Sequence, residues 1–252
     1  MTLPKVAVIS LGGTISSTQT EGGSGVAPSL TGEALVEDVP EVAEVTASSL
    51  RQVPGSEVNL EDLVELSEEI RGRIDNGAKG VVVTQGTDTI EETSFVLDLL
   101  VSGDAPVVVT GAMRNPTLPG AEGPANLLAS VLVAASEAAR GVGCVVVMND
   151  EIHAARFVQK THTSNPATFR SPLAGPIGWI SEDKVRVSTR PVARHHVSLP
   201  PESRDHPVAL YTVSLGDDGR LLPSIGQLGY EGLVVEALGG SHVPSVMAEP
   251  LG

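Results

Sequence analysis

The chain has 252 residues, 41% of them hydrophobic, and a mean hydropathy of +0.13, enough apolar material for one large core or two domains. Lys and Arg number 16 against 31 Asp and Glu, a net charge of −15, which excludes the clustered basic footprint of a nucleic-acid binder. No apolar run approaches the ~20 residues that span a bilayer, and a single cysteine, Cys144, excludes an intrachain disulfide and fits a reducing compartment.

Met1 to Lys5 lead straight into the first apolar run, without a charged region, an apolar region and a cleavage site, so a cytoplasmic location is expected. Val6–Leu11 is short, β-branched and followed at once by Gly12 and Gly13, the pattern of a buried parallel strand that ends in a tight turn. Such glycines let the backbone approach a ligand closely. Thr14 then projects into the crevice at the carboxyl end of the strand, where open α/β sheets bind ligands; a plain helix-capping role is the alternative. Residues 16–29, rich in Ser, Thr, Gly and Gln, are a candidate exposed lid beside that crevice.

Strand-like runs at 5–11, 79–84, 105–111 and 143–148 alternate with helical patterns at 60–75, 89–101 and 124–140. This βαβ signature predicts a parallel sheet covered by helices in an N-terminal α/β domain over residues 1–185. Asn59 before Leu60-Glu61-Asp62 and Thr89 before Ile90-Glu91-Glu92 each predict a side-chain cap with an acid three residues on. Thr87 and Asp88 thereby fall at a helix N-terminus, beside backbone N–H groups suited to negative charge. Cys144, inside the run Gly143–Met148, reads as a small buried side chain.

Residues 186–207 carry Arg, His and four prolines without periodicity and read as an interdomain linker. Beyond it only two strand runs appear, Val208–Leu215 and Gly232–Leu238, and Pro244-Ser245 reads as a helix start. A smaller α/β domain over 208–252, incomplete in this chain, is expected, since a piece this short rarely stands alone.

Two threonines at strand ends, Thr14 and Thr87, with Asp88 beside one of them and Lys160 in Phe157-Val-Gln-Lys-Thr161, form a candidate nucleophilic set. A threonine hydroxyl is a weak nucleophile that needs a base; a lysine can serve, and an aspartate can fix its position. Taken singly, Lys160 also reads as a surface ion-pair partner and Asp88 as a cap. No G-x-G-x-x-G follows the first strand and no G-K-[ST] occurs, which argues against dinucleotide and P-loop sites. His153 and His162 lie nine apart without a zinc-site context, and His195-His196 fall in the linker, so structural or solvent-exposed roles are expected. Arg114 could reach an anion or make an ion pair near the sheet end.

Leu11-Gly-Gly-Thr-Ile15 and Gly86-Thr-Asp-Thr-Ile-Glu-Glu-Thr93 resemble the two signatures of the bacterial-type L-asparaginase family. The resemblance continues through Gly111-Ala-Met-Arg114, Val147-Met-Asn-Asp150, Lys160-Thr161 and Ala167-Thr-Phe-Arg-Ser171, over nearly the whole chain. It implies an amidohydrolase that converts L-asparagine to L-aspartate and ammonia, with Thr14 as first nucleophile and Thr87, Lys160 and Asp88 as a second set. It also implies that Ser56 binds the substrate α-carboxylate, Glu57 and Asp88 the α-ammonium, and the backbone at Ala112 the side-chain amide. Gly13 and Gly86 complete the substrate-binding residues. Backbone N–H groups near Thr14 or Thr87 would stabilise the oxyanion by ~2.7–4 kcal/mol per donor.

No cofactor or metal is implied, and the partners are a small amino-acid amide and further copies of the chain, as homodimer or homotetramer. The alternatives are a weak or silent member that binds an acidic amino acid, and an amidase for glutamine or another small amide. Three departures from the family pattern stand out. The only tyrosines are Tyr211 and Tyr230, far from the lid, where the family carries a phenol; Thr18 or Thr20 are candidate substitutes. His242 stands where a neighbouring subunit's asparagine is expected, and the accompanying glutamate position falls beyond Gly252. Glu57 occupies a position that often holds glutamine.

Overall fold

The computed structural model describes residues 2–19, 25–37, 39–200 and 206–248. The chain divides into two compact units, Met1–Ser198 and Leu199–Gly252.

The first unit contains, in chain order, β1 (Lys5–Gly12), β2 (Ser17–Gln19), β3 (Val26–Pro28), α1 (Gly32–Val36), β4 (Glu44–Val53), α2 (Leu60–Asp75), β5 (Gly80–Thr84), α3 (Ile90–Leu100), β6 (Val107–Thr110), α4 (Gly123–Ala135) and β7 (Cys144–Met148). β8 (Glu151–Ala154), β9 (Gln159–Lys160), β10 (Phe169–Arg170), β11 (Gly178–Ser181) and β12 (Lys184–Val187) follow. Eight strands form one sheet in the order β12-β11-β8-β7-β6-β5-β1-β4. Its core from β4 to β7 is parallel, as the strand–helix alternation requires. The β7–β8, β8–β11 and β11–β12 pairings are antiparallel, so the sheet is mixed.

Two-residue turns join β7 to β8 and β11 to β12. Asn149 and Asp150 take φ of 52° and 59°, and Glu182 and Asp183 take 49° and 60°, the left-handed pair that matches strand twist in a tight hairpin. Asn and Asp tolerate this region well. An Asn-Asp pair after an apolar strand is therefore a hairpin signal, and Glu182 is the unusual member.

The central strands are buried on both faces, which is why they read as continuous apolar runs. Ala7, Ile9, Leu11, Val81, Val83, Val107, Val109, Val146 and Met148 pack with Leu63, Leu66 and Ile70 of α2 and Ile90 and Leu97 of α3. The alternate positions Val6, Val8, Val82, Val108, Val145 and Val147 pack with Leu127, Val131 and Ala134 of α4. Cys144 is buried as expected, and burial pushes its thiol pKa well up. The cap at Asn59 forms as a full capping box: its side chain accepts from the Asp62 amide, and Asp62 accepts from the Asn59 amide. The helix expected over 124–140 stops at Ala135, because Ser136 turns extended and its hydroxyl accepts from the Ala138 amide to open a separate 3₁₀ turn.

Within the stretch 186–207, residues 186 and 187 belong to β12. Arg190 donates to the carbonyls of Arg140 and Ala138, Arg194 to those of Gly103 and Val101, and the Val197 amide to Leu99. Residues 201–205 lie outside the described ones.

The second unit carries β13 (Val208–Thr212) and β14 (Gly232–Glu236), paired in parallel, and the short α5 (Leu222–Ile225). Val213, Leu222 and Met247 form its small core. Pro244 leads into a 3₁₀ turn, Ser245–Met247. The Tyr211 hydroxyl donates to Asp217 at 2.6 Å, and that carboxylate pushes the phenol pKa up to about 12.

Candidate active site

Because β4, β1, β5 and β6 run parallel, their carboxyl ends share one edge of the sheet. β1 lies between β4 and β5, so the chain leaves it toward one side and later returns on the other. Such a switch opens a crevice for a ligand.

Three glycines close the floor of this crevice backbone against backbone. A Cβ on Gly13 would stand 2.0 Å from the Gly86 nitrogen, one on Gly55 2.8 Å from the Gly86 carbonyl oxygen, and one on Gly86 2.4 Å from the Gly55 nitrogen. Gly13 also has φ of 80°, a region costly for any side chain. Each glycine is followed at once by a hydroxyl residue, Thr14, Ser56 and Thr87. The close approach thus brings three hydroxyl positions from three strands to one place. Thr14 is half-buried, Thr87 buried, and Ser56 and Glu57 exposed.

Thr89 ties the same loops. Instead of capping α3, its hydroxyl donates to the Gly55 carbonyl at 2.8 Å and accepts from Gln85 Nε2 at 3.2 Å. The expected cap at Thr89 is therefore corrected: the Gly55 carbonyl is a nearby buried acceptor and wins the hydroxyl. Ala112 joins through Gly111, where a Cβ would lie 2.7 Å from the Gln85 carbonyl and 3.3 Å from the Thr87 methyl. Asn126 donates to the Gly111 carbonyl at 3.0 Å, and the Glu122 carboxylate accepts the Met113 amide.

Lys160 arrives from β9. Its Nζ lies 2.9 Å from Thr87 Oγ1 and 2.7 Å from Asp88 Oδ1, with the lysine side chain 17% exposed and the aspartate 64%. Thr87, Asp88 and Lys160 are thus in direct contact; Gly13, Thr14, Ser56, Gly86 and Ala112 join them through backbone packing. Sequence reasoning takes Thr89 as a cap and Glu91 as a first-turn acid, and does not single out Gln85, Glu122 or Asn126. Gln85, a second polar residue after Thr84 at the end of the buried Val81–Val83 run, was the visible signal.

The candidate lid is partly corrected. Ser16 and Ser17 are buried, their hydroxyls held by the Gly13 carbonyl at 3.0 and 2.8 Å. β2 and β3 pair antiparallel, Thr18 bonds Ser29 at 2.7 Å, and Thr20 lies outside the described residues. Arg114 donates to the Gly120 carbonyl at 2.9 Å. His162 accepts from the amides of Ser164 and Asn165. His153 is buried, with Nδ1 3.0 Å from Ser171 Oγ and Nε2 3.3 Å from Glu151, and burial lowers its pKa despite that carboxylate. In the second unit His242 bonds the Gly239 carbonyl through Nδ1 at 2.7 Å. Among the described residues no three His, Cys, Asp or Glu side chains are grouped to hold a metal, and no helix is long and apolar enough to cross a membrane.

The family described as asparaginase, N-terminal, matches residues 5–193. The chain is 37% identical over 248 residues to an L-asparaginase of Bacillus licheniformis, covering 96% of this chain and 76% of that one. A glutaminase-asparaginase of Pseudomonas fluorescens biotype A is 36% identical over 204 residues, 77% of this chain and 55% of that one. Among solved structures, a probable cytoplasmic L-asparaginase from Campylobacter jejuni superposes with a TM-score of 0.89 at 29% identity, covering 98% of this chain and 79% of that one. Given the family match across the sheet and every strand end that lines the crevice, the chain belongs to the asparaginase family of amidohydrolases.

Proposed function

We propose that the protein hydrolyses L-asparagine to L-aspartate and ammonia with Thr14 as nucleophile. The observation that carries this reading is Lys160 Nζ bridging Thr87 Oγ1 and Asp88 Oδ1 beside the glycine floor that presents Thr14. In the first step the Thr14 oxygen bonds the carboxamide carbon, the hydroxyl proton passes to the departing nitrogen, and ammonia leaves an aspartyl ester. Water, deprotonated through Thr87 and Lys160, then cleaves that ester and the proton returns to Thr14. A zwitterionic substrate needs donors for its carboxylate and acceptors for its ammonium; Ser56 supplies the first, Glu57 and Asp88 the second. The Ala112 backbone holds the amide.

Ammonia release from L-asparagine, lost in Thr14→Ala and Thr87→Ala, tests the reading, and parent activity in Thr14→Ala alone rejects it. Glutamine is the second substrate to assay, because the Pseudomonas relative is a glutaminase-asparaginase. We further propose a homodimer or homotetramer, to be read by light scattering, and a cytoplasmic location, to be read by fractionation. The Campylobacter neighbour is a probable cytoplasmic L-asparaginase, whereas a Haemophilus influenzae relative 34% identical over 250 residues is a probable periplasmic L-asparaginase.

A further inference from the structure

Lys160 ends β9, a strand two residues long that pairs with β10 alone. The register sets Lys160 opposite the buried Phe169, and the next amide, that of Thr161, donates to the Thr168 carbonyl at 2.8 Å. Amides alternate sides along a strand, so the Lys160 N–H faces away from β10. There it donates to Glu91 Oε1 at 2.6 Å, across 69 residues of sequence. A bond from an amide to a carboxylate is roughly twice as strong as a neutral one.

Glu91 lies in the first turn of α3, and the Thr87–Thr89 turn runs directly into that helix. One helix start therefore grips the lysine at both ends: Glu91 on its backbone, Thr87 and Asp88 on its ammonium. We propose that Glu91 is a positioning residue for Lys160, whose carboxylate fixes β9 at the one offset from α3 that lets Nζ reach Thr87 and Asp88 together. The functional importance of this clamp rests on the reading of Lys160 as part of the catalytic set. An acid in the first turn also complements the helix dipole, a role that aspartate would keep. The clamp differs, because aspartate is shorter by one methylene and withdraws the oxygen from the Lys160 amide.

The test compares the full chain with Lys160→Met, Glu91→Gln, Glu91→Asp and Glu91→Ala, by steady-state ammonia release and by hydrogen exchange at the Lys160 amide. Glu91→Asp and Glu91→Ala are expected to lower kcat by about 10- to 10²-fold, as small misplacements do, with KM within about twofold of the parent. Both lose protection at the Lys160 amide. Glu91→Gln keeps an acceptor oxygen at the same reach and stays within about threefold of the parent kcat. Parent kcat and parent protection in Glu91→Asp overturn the clamp. Full activity in Lys160→Met rejects the catalytic reading separately, and amide exchange in Glu91→Asp then still decides whether the carboxylate holds the strand.

Discussion

Gly13 has no room for a side chain, since an added Cβ would overlap the Gly86 nitrogen at 2.0 Å and the Gln85 carbonyl carbon at 2.4 Å. Both neighbours are backbone at the end of a central strand and cannot swing aside. Gly13→Ala is therefore expected to cost about 3 kcal/mol or more in urea unfolding, from overpacking and strain at positive φ. It should also abolish turnover, because the same contact presents Thr14. Asp98 illustrates a second residue-scale dependence. This buried acid accepts the Cys144 amide at 3.0 Å and lies 3.7 Å from Arg156 and 3.5 Å from Arg194. Asp98→Ala leaves two partly buried guanidinium groups without their anion and should lower stability by about 3 kcal/mol. Equal denaturation midpoints in variant and parent would contradict that assignment.

Among the elements, α2 starts from a complete capping box, and Asn59→Ala should cost about 1 kcal/mol, measured by chemical denaturation. The elements legible in the sequence are those whose pattern leaves one physical solution. β1, β5, β6 and β7 are β-branched and buried on both faces, and α2 pairs its cap with an apolar stripe. β4 escaped because it is an edge strand with Ser, Thr, Arg and Glu scattered through it and no fully buried position. β8, β11 and β12 escaped because they are four residues each, β8 following β7 and β12 following β11 through tight turns, and no helix separates β8 from β11. The site divides the same way. Thr14, Thr87, Asp88 and Lys160 stand in motifs that can be read, whereas Thr89 and Glu91 act by bonding backbone groups 34 and 69 residues away. Nothing local to the sequence signals such partners.

At the scale of the whole molecule, stability should depend on pH through His153. Burial holds its folded-state pKa below the ordinary 6.5, so between those two values the unfolded chain binds the proton more readily. Stability is then fully present above about pH 6.5 and declines as the pH falls from there toward the folded-state value. His153→Gln should flatten that part of the stability profile, followed by urea unfolding at a series of pH values; an unchanged slope would remove His153 as its source. In the proposed mechanism three strand ends and β9 combine into one catalytic crevice. Ammonia release from L-asparagine by the parent, Thr14→Ala, Thr87→Ala and Lys160→Met tests it most directly. The expected result is turnover by the parent and losses of about 10²- to 10⁴-fold in each variant, with unchanged thermal unfolding in Thr14→Ala. Parent-level turnover in Thr14→Ala or in Lys160→Met would contradict the account.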